Sequence, residues 1–501
     1  MSEFFLMTEF EVKFEIPLAQ LKSVGIAVLE GKAKRQRLQA SYFDTPDGAL
    51  AKRGIVVRLR KEGRRWVQTA KGPTSDVLER LEHNVALGYQ AAGVVPAVDL
   101  SRHLGTPVGK AMDKALELKD DKNCPALVLL YGTDVQRLSR CVAHAGSVME
   151  ISLDQGRVFA NGRSQPICEL EIELKEGLPS DAVALAHQWS EAHGLWISTI
   201  TKSMKGQRLH DAVSFGLATT AVAIAFPRRA AVDEMMTEVV LSCLRQILPS
   251  ASELASGSNH PEHVHQLRVG IRRLRTALRE LGSLTDALDP ALEVGLVQAF
   301  RALGAHRDHS HLALVLQPQL LAAGGPDICF NNANVKVPDP GETVRSPDFQ
   351  AALLGLLGFV HRETPETVKA PVALKKAVSM RLEKLYKHAL LDGKKFPALD
   401  EAGQHGVRKR MKRLRYLMEF AEPLYPAGHV RHMAAALKPV QDALGQYNDE
   451  LMALHALRVL AANDLNAWFG IGWLTARMQP NAKRCFKQIK AMANREPFWR
   501  K

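Results

Sequence analysis

The sequence predicts an α+β protein of two successive domains, a strand-rich one followed by an all-helical one. Three observations carry this reading. Up to residue 175, short runs alternate charged and apolar side chains, which is the period of a β-strand. From residue 231 onward no such run returns, and apolar residues recur at helical spacing. A basic stretch in the second half, His265-Gln-Leu-Arg268-Val-Gly-Ile-Arg272-Arg273-Leu-Arg275, recurs 140 residues later as His405-Gly-Val-Arg408-Lys-Arg-Met-Lys412-Arg413-Leu-Arg415.

The strands come first. Thr8–Ile16 sets Glu9, Glu11, Lys13 and Glu15 on one face and Phe10, Val12, Phe14 and Ile16 on the other. Leu38–Phe43 precedes a turn at Asp44-Thr-Pro-Asp-Gly48, with proline and glycine suitably placed. Gly54–Arg60, Arg65–Lys71 and Arg80–Leu87 follow, the middle one ending at Gly72-Pro73. Residues 97–122 look more helical. Leu127–Arg140, Ser147–Leu153, Arg157–Phe159 and Cys168–Lys175 resume the strand pattern, with hairpin turns expected at Asp154-Gln-Gly156 and Asn161-Gly162. Ser180–His193 reads as a helix stopped by Gly194. About eight strands result, most with one densely charged face of both signs. A sandwich would wet that face. A closed barrel would instead turn it inward and line a polar tunnel.

The helical half divides in two. Helices are expected at about 231–247, 261–281, 287–304, 308–322, 347–361, 369–391, 402–421, 429–445, 448–463 and 481–494. A loop-like stretch, Gly324–Asp348, separates two parts. Each part has the basic helix and then a second shared feature, Leu303-Gly304 in one and Leu444-Gly445 in the other. The histidine-to-glycine interval is 39 residues in the first and 40 in the second. An internal duplication over about 231–323 and 346–463 follows, with two bundles about a pseudo-twofold axis. The domain boundaries expected are 1–212, a linker at 213–230, and 231–501.

Charge is uneven. Of the net +13, residues 1–212 carry about +2 and the remainder about +11. The basic half therefore calls for a polyanion: nucleic acid, anionic lipid or polyphosphate. At about 100° per residue, His265, Arg268, Arg272 and Arg275 share one narrow helix face, which Arg279 extends. His405, Arg408, Lys412 and Arg415 repeat it. Like charges at this spacing repel, so the face calls for an anion. Aromatic residues make up 6% of the chain and are not interleaved with the basic runs, which argues against a nucleic-acid stacking platform. The six cysteines, Cys124, Cys141, Cys168, Cys243, Cys329 and Cys485, show no ligand spacing and read as reduced cytosolic thiols. No signal peptide is visible, and the apolar run Val213–Phe226 is too short to span a bilayer. Met7 is a candidate start residue. The expected location is cytoplasmic, with no membrane partner.

The strand chemistry points to phosphate and metal together. Glu9 and Glu11 offer hard oxygen ligands for Mg²⁺ or Mn²⁺, and Lys13 a phosphate contact. Cys168-Glu169-Leu-Glu171-Ile-Glu173-Leu-Lys175 repeats the device. Arg58, Arg60, Lys71, Arg80 and Glu82 stand on the intervening strands.

These residues, in this order, resemble a CYTH domain of the triphosphate tunnel metalloenzyme family. The resemblance covers about residues 7–210. It rests on Glu9-x-Glu11-x-Lys13, Tyr42-Phe-Asp-Thr-Pro46, Val57-Arg58-Leu-Arg60, Gln68-Thr-Ala-Lys71, Arg80-Leu-Glu82, Glu150-x3-Asp154-x-Gly156, Ile167–Leu174 and Thr201-Lys202. It implies an eight-stranded antiparallel barrel around a tunnel, and metal-dependent triphosphatase activity on tripolyphosphate. By the same resemblance Lys13, Arg58, Arg60, Lys71, Arg137 and Lys202 grip phosphate. Glu9, Glu11, Glu169 and Glu171 hold metal, and Glu82, Asp154 and Glu173 support them. Arg140 is the alternative to Arg137, because Val135 departs from the family's usual run there.

The repeated basic stretch, continued by Tyr416 in its second copy, resembles a CHAD domain over about residues 230–495. That resemblance implies a duplicated helical domain that binds long-chain inorganic polyphosphate through a basic channel, and association with polyphosphate granules. Arg307 and Lys438 are candidate extra contacts. The competing expectations are a non-catalytic polyphosphate-binding protein and an adenylate cyclase.

Overall fold

The computed structural model describes residues 8–91, 93–117, 125–328, 330, 338–363 and 371–500, without side chains at 307–311 and 371–373. Its chain divides into two compact units. The first comprises residues 1–219, 248–258 and 345–363, and the second 220–247, 259–344 and 364–501.

The first unit is built on an eight-stranded antiparallel barrel: β1 (Thr8–Glu15), β2 (Lys34–Asp44), β3 (Val56–Glu62), β4 (Arg65–Pro73), β5 (Glu79–Tyr89), β6 (Val128–His144), β7 (Ser147–Ala160) and β8 (Arg163–Glu176). The order runs β5-β4-β3-β2-β6-β7-β8-β1, and β5 pairs back onto β1 to close the ring. A short β9 (Trp196–Ile197) pairs beside β1. Residues opposite one another across antiparallel strands share a face. The register therefore lines charged residues up in rows. Glu9 faces Arg80. Lys71 faces Glu82. Glu11 faces Glu173, which faces Glu150. Glu15, Glu169, Asp154 and Arg137 form a longer row.

The intervening residues point outward, and helices cover many of the apolar ones. Val12 and Phe14 are fully buried although they face away from the tunnel. They lie under α3 (Pro179–His193), with α1 (Leu21–Leu29), α2 (Pro107–Ala115) and α4 (Lys202–Asp211) on other parts of the wall. This inverts the usual sheet, with the apolar face outside under helices and the charged face within.

One expected turn is overturned. Asp154-Gln-Gly156 lies inside β7, which runs unbroken from Ser147 to Ala160. The glycine is there for close approach: a Cβ at Gly156 would lie 2.1 Å from the Asp134 carbonyl of β6. The turn at Asn161-Gly162 is present, both residues having positive φ. Helices α1 and α4 had no counterpart in the sequence reading.

The other helices are α5 (Val232–Ala255), α6 (Pro261–Leu281), α7 (Leu292–His311), α8 (Gln317–Ala322), α9 (Pro340–Arg345), α10 (Pro347–Val360), α11 (Pro371–Gly393), α12 (Glu401–Ala421), α13 (Ala427–Leu460) and α14 (Ala467–Ala493). Helix α10 belongs to the first unit and the C-terminal turns of α5 do too. The repeats show at the caps. His260 caps α6 by accepting from Glu262 N, and Asp400 caps α12 by accepting from Gly403 N. Each cap stands five residues before the histidine of its repeat.

Helices α6 and α12 pack antiparallel. Arg273 of α6 pairs with Glu419 of α12 at 2.6 Å, and Arg413 of α12 pairs with Glu280 of α6 at 2.8 Å. This reciprocity is what a local twofold relation produces. The break expected at 446–447 is absent, because α13 continues through it. Side-chain contacts hold that turn helical: buried Tyr447 donates to Gln404 at 2.8 Å, and His405 bonds Asn448 at 3.1 Å. Helix α14 begins well before the expected residue 481, with Ile471 and Leu474 in a core shared with Leu454 and Leu457 of α13.

Candidate functional site

The barrel encloses a cavity of about 220 Å³. Eight cations line it: Lys13, Arg58, Arg60, Lys71, Arg80, Arg137, Lys175 and Lys202. Seven carboxylates face them: Glu9, Glu11, Glu82, Glu150, Asp154, Glu171 and Glu173. Charges of both signs are buried here only because they pair. Arg137 makes a two-pronged bond to Asp154 at 2.7 and 2.6 Å and reaches Glu171 at 2.5 Å. Lys202 meets Glu171 at 2.5 Å, Asp154 at 2.8 Å and Glu169 at 3.0 Å. Lys71 pairs with Glu9 and lies 3.5 Å from Glu82. Lys175 pairs with Glu173 at 2.6 Å.

The sequence-expected residues separate on inspection. Glu9, Glu11, Lys13, Arg58, Arg60, Lys71, Arg80, Glu82, Arg137, Asp154, Glu171, Glu173 and Lys202 all line the one cavity. Glu169 does not. It is fully buried among Lys13 at 3.9 Å, Lys202 at 3.0 Å and Lys205 at 2.7 Å. Burial pushes its pKa up, but the three ammonium groups hold it at about 2. Between Arg137 and Arg140, it is Arg137 that enters the cavity. Arg140 faces the other way and donates to the Glu30 carbonyl at 2.5 Å. Lys205 had no place in the sequence reading. Its three-residue spacing from Lys202 on α4, one helical turn, was the available signal. Glu150 and Lys175 also line the cavity without an assigned role, and Lys175 continues the alternation of Glu169, Glu171 and Glu173.

Two groups suit an acceptor and a cation respectively. Arg58 lines the cavity, yet its buried Nε has no hydrogen-bond partner among the described residues. Such a donor is costly unless an acceptor arrives. Glu11 is pushed up to about 8 by burial and by the charges of Glu9 and Glu171. Crowded carboxylates of this kind are relieved by a cation, and their oxygens suit a hard divalent ion. The donor chemistry therefore fits Mg²⁺ or Mn²⁺. Among the described residues no three such side chains are gathered round one point, since Lys71 and Lys202 hold the carboxylates instead.

The second unit has its own cationic face. Arg272 of α6 and Arg408, Lys412 and Arg415 of α12 lie close enough to act on one another. Burial and those three arginines pull Lys412 down to about 7. Arg272 Nε is buried without a hydrogen-bond partner among the described residues. Phe300 of α7 supports the first repeat: Arg268 lies over its ring at 4.3 Å and donates to its carbonyl at 2.7 Å, with Arg272 and Arg275 each 5.8 Å from the ring. Gly304, the shared glycine, makes room, since a Cβ there would meet Arg268 at 2.8 Å. Arg275 pairs with Glu293 at 2.9 Å and Arg408 with Asp449 at 3.7 Å. Burial holds His405 below its ordinary pKa. His265 stands on the same face, and Arg279 lies exposed at the end of α6.

Other expected contacts are placed elsewhere. Arg273 is buried in its ion pair with Glu419, and Arg413 pairs with Glu280, so both join α6 to α12. Tyr416 is buried beneath Arg415. Lys438 sits exposed on α13 with Asp442 at 3.2 Å. Arg307 lies outside the residues whose side chains are described. No helix among the described residues is long and apolar enough to cross a membrane.

Comparison with known proteins finds two successive families. Residues 7–206 match the model of the CYTH domain, and residues 238–458 match that of the CHAD domain. An inorganic triphosphatase from Haemophilus influenzae is 26% identical over 214 residues, covering 39% of this chain and 54% of that protein. The chain thus matches about half the length of that curated relative. Among solved structures, the CHAD domain from the plant Ricinus communis is 25% identical, covers 55% of this chain and 97% of its own, and gives a TM-score of 0.47. A protein from Hippeastrum, described as an adenylyl cyclase with a dominant triphosphatase activity, is 18% identical, covers 41% and 97%, and gives 0.31.

Proposed function

From a chain that carries a CYTH domain followed by a CHAD domain, we propose a metal-dependent inorganic triphosphatase joined to a polyphosphate-binding helical module. The observation that carries the first part is the balance of charge in the barrel. Eight cations against seven carboxylates leave the cavity near neutrality. A bare polyanion would upset that balance. A triphosphate accompanied by divalent cations keeps it, because it brings both signs at once.

Hydrolysis joins a water oxygen to the terminal phosphorus and breaks the bridging P–O bond, releasing phosphate and pyrophosphate. Lys13, Arg58, Arg60, Lys71, Arg80, Arg137, Lys175 and Lys202, which line the cavity, would hold phosphate oxygens as charge shifts to the leaving group. Lys71 and Lys202 exchange a carboxylate partner for a phosphate one. Arg58 gains the acceptor its Nε lacks. When bound, a divalent ion held by Glu9, Glu11, Glu171 and Glu173 would neutralise phosphate charge and polarise the attacking water. Glu169 anchors Lys13, Lys202 and Lys205 on this reading. The relative from Haemophilus influenzae, named an inorganic triphosphatase, supports the substrate class.

In the helical unit, Arg268, Arg272, Arg408, Lys412 and Arg415 offer a run of cations to a flexible phosphate chain, with arginine forks suited to phosphate oxygens. That face would hold long-chain polyphosphate and bring the enzyme to polyphosphate granules. The deciding assay is phosphate release from tripolyphosphate with Mg²⁺ or Mn²⁺, for the full chain and for Glu9→Gln/Glu11→Gln. Release by the first and not the second is expected. No release with either ion defeats the enzymatic reading and leaves a binding protein.

A further inference from the structure

We infer that four residues from the downstream half of the chain, Ser252, Glu253, Gln350 and His361, are positioning residues for the triphosphate cavity. The inference rests on the triphosphatase reading above. Segments 248–258 and 345–363 cluster with residues 1–219 in one compact unit, although the CYTH match ends at 206.

The stretch 196–201 sets the geometry of the three lysines gathered round Glu169. Ser198 N donates to the Lys13 carbonyl at 2.9 Å, and the Ile200 carbonyl accepts from the Lys13 ammonium. Thr201 caps α4 by accepting from Met204 N at 3.2 Å. Helix α4 then carries Lys202 and Lys205 to Glu169. A shift of this stretch moves all three lysines at once.

Acceptors from the downstream segments hold it. Gln350 Oε1 takes Ile197 N at 2.9 Å. Ser252 Oγ takes Thr199 N at 3.0 Å and meets Thr199 Oγ1 at 3.2 Å. At the far end of α4, Glu253 takes Arg208 through both guanidinium nitrogens and Gly216 N at 3.2 Å. Ser252, Glu253 and Gln350 are buried, where an orphaned backbone donor or an unpaired charge is costly. His361 meets Phe10 edge-on at 4.9 Å, between Glu9 and Glu11 on β1. It also lies 3.6 Å from Asp76, in the turn that joins Lys71 to Arg80 and Glu82. These contacts fall within a few residues of groups that line the cavity. They do not touch the substrate volume themselves, so their effect on hydrolysis runs through the residues they hold.

The test uses the full chain, with tripolyphosphate as substrate and hydrogen exchange as an independent reading. Gln350→Met and Ser252→Ala remove an acceptor each, while Gln350→Glu keeps one. At a temperature where all remain folded, kcat/KM of the first two should fall by about tenfold or more, because a misplacement of about 1 Å is worth roughly a hundredfold. Gln350→Glu should lie nearer the unsubstituted chain. Amides of 196–206 should exchange faster in the first two, and those of β6 and β7 should not. Turnover within about twofold of the unsubstituted chain, with unchanged exchange, overturns the inference. So does a loss that spreads over the whole barrel and is not rescued by Gln350→Glu. If Gln350→Met does not fold, Ser252→Ala carries the same measurement. An unsubstituted chain that releases no phosphate defeats the proposed function separately. The exchange data then decide this inference: faster exchange at 196–206 supports it, and unchanged exchange overturns it.

Discussion

Replacing Lys412 with arginine should remove most of the pH dependence of polyphosphate binding. Burial and the charges of Arg272, Arg408 and Arg415 pull the Lys412 ammonium down to about 7. An anion laid across the same face reverses the repulsion and draws that pKa back toward its ordinary range. The folded, unliganded protein therefore has Lys412 largely neutral above pH 7, and the complex has it charged. Binding above pH 7 must take up a proton, so affinity falls as pH rises. From pH 6 to pH 8.5 the loss works out at about thirty-fold, or about 2 kcal/mol, provided the bound pKa exceeds that range. Without ligand the sign is opposite for stability: a lysine depressed in the folded state makes the protein more stable as pH rises from 7 toward 10.5. Calorimetric titration with polyphosphate of one chain length, in two buffers of different ionisation heat, reads affinity and proton uptake together. Near pH 8.5 uptake should approach one proton for the native chain and none for Lys412→Arg. Equal pH slopes for the two proteins would refute the reasoning.

Other substitutions test separate parts. Glu9→Gln/Glu11→Gln should lower tripolyphosphate turnover by about a hundredfold or more, as loss of a charge-stabilising group does. Arg137→Gln leaves the fully buried Asp154 with one fewer cation and should lose about 3 kcal/mol by urea denaturation. Arg273→Ala should cost about as much stability, because it empties a buried site and takes a donor from Glu419, Gln246 and Ser242 together, yet leave polyphosphate affinity nearly unchanged. Arg272→Ala should do the reverse, weakening polyphosphate and making the slope of log affinity against log salt shallower by about 1.

The sequence was most legible where one periodicity decided the structure. Alternation in Thr8–Glu15 and in Cys168–Lys175 put the charged residues on one face, and closure of the barrel turned that face inward. The repeated basic helix was legible because its spacing is local to one helix. What could not be read was pairing between elements. Arg272 and Arg273 are neighbours of identical type. One faces the cationic cluster and the other is buried against Glu419. Helical phase puts Arg272 on the basic face and Arg273 off it, but only the position of α12 supplies Glu419 as the partner of Arg273. Asp154-Gln-Gly156 misled for a related reason. Its glycine answers a carbonyl on β6, which local turn chemistry cannot anticipate. Glu169 and Glu171 look equivalent as well. Only the seat of α4, with Lys205 beside Lys202, withdraws Glu169 from the cavity.

The two cationic sites differ in the physics they can use. In the barrel nearly every charge already has a partner, so a ligand is admitted by exchange: each carboxylate that gives up a lysine must receive a cation in return. A phosphate without metal strands Glu9 and Glu171, and a metal without phosphate leaves the lysines facing it. On the proposed function, selectivity for the pair would come from that mutual dependence, and salt in the medium would weaken it little because the groups are buried. On the helical face the charges are alike, and Lys412 has partly surrendered its proton to reduce the repulsion. Such a face gains from any dense anion, and its grip depends on salt and pH. On the proposed function, a chain holding both kinds of site would keep a long phosphate polymer loosely, in a manner tuned by the medium, and would reserve hydrolysis for a short end that fits a cavity of about 220 Å³.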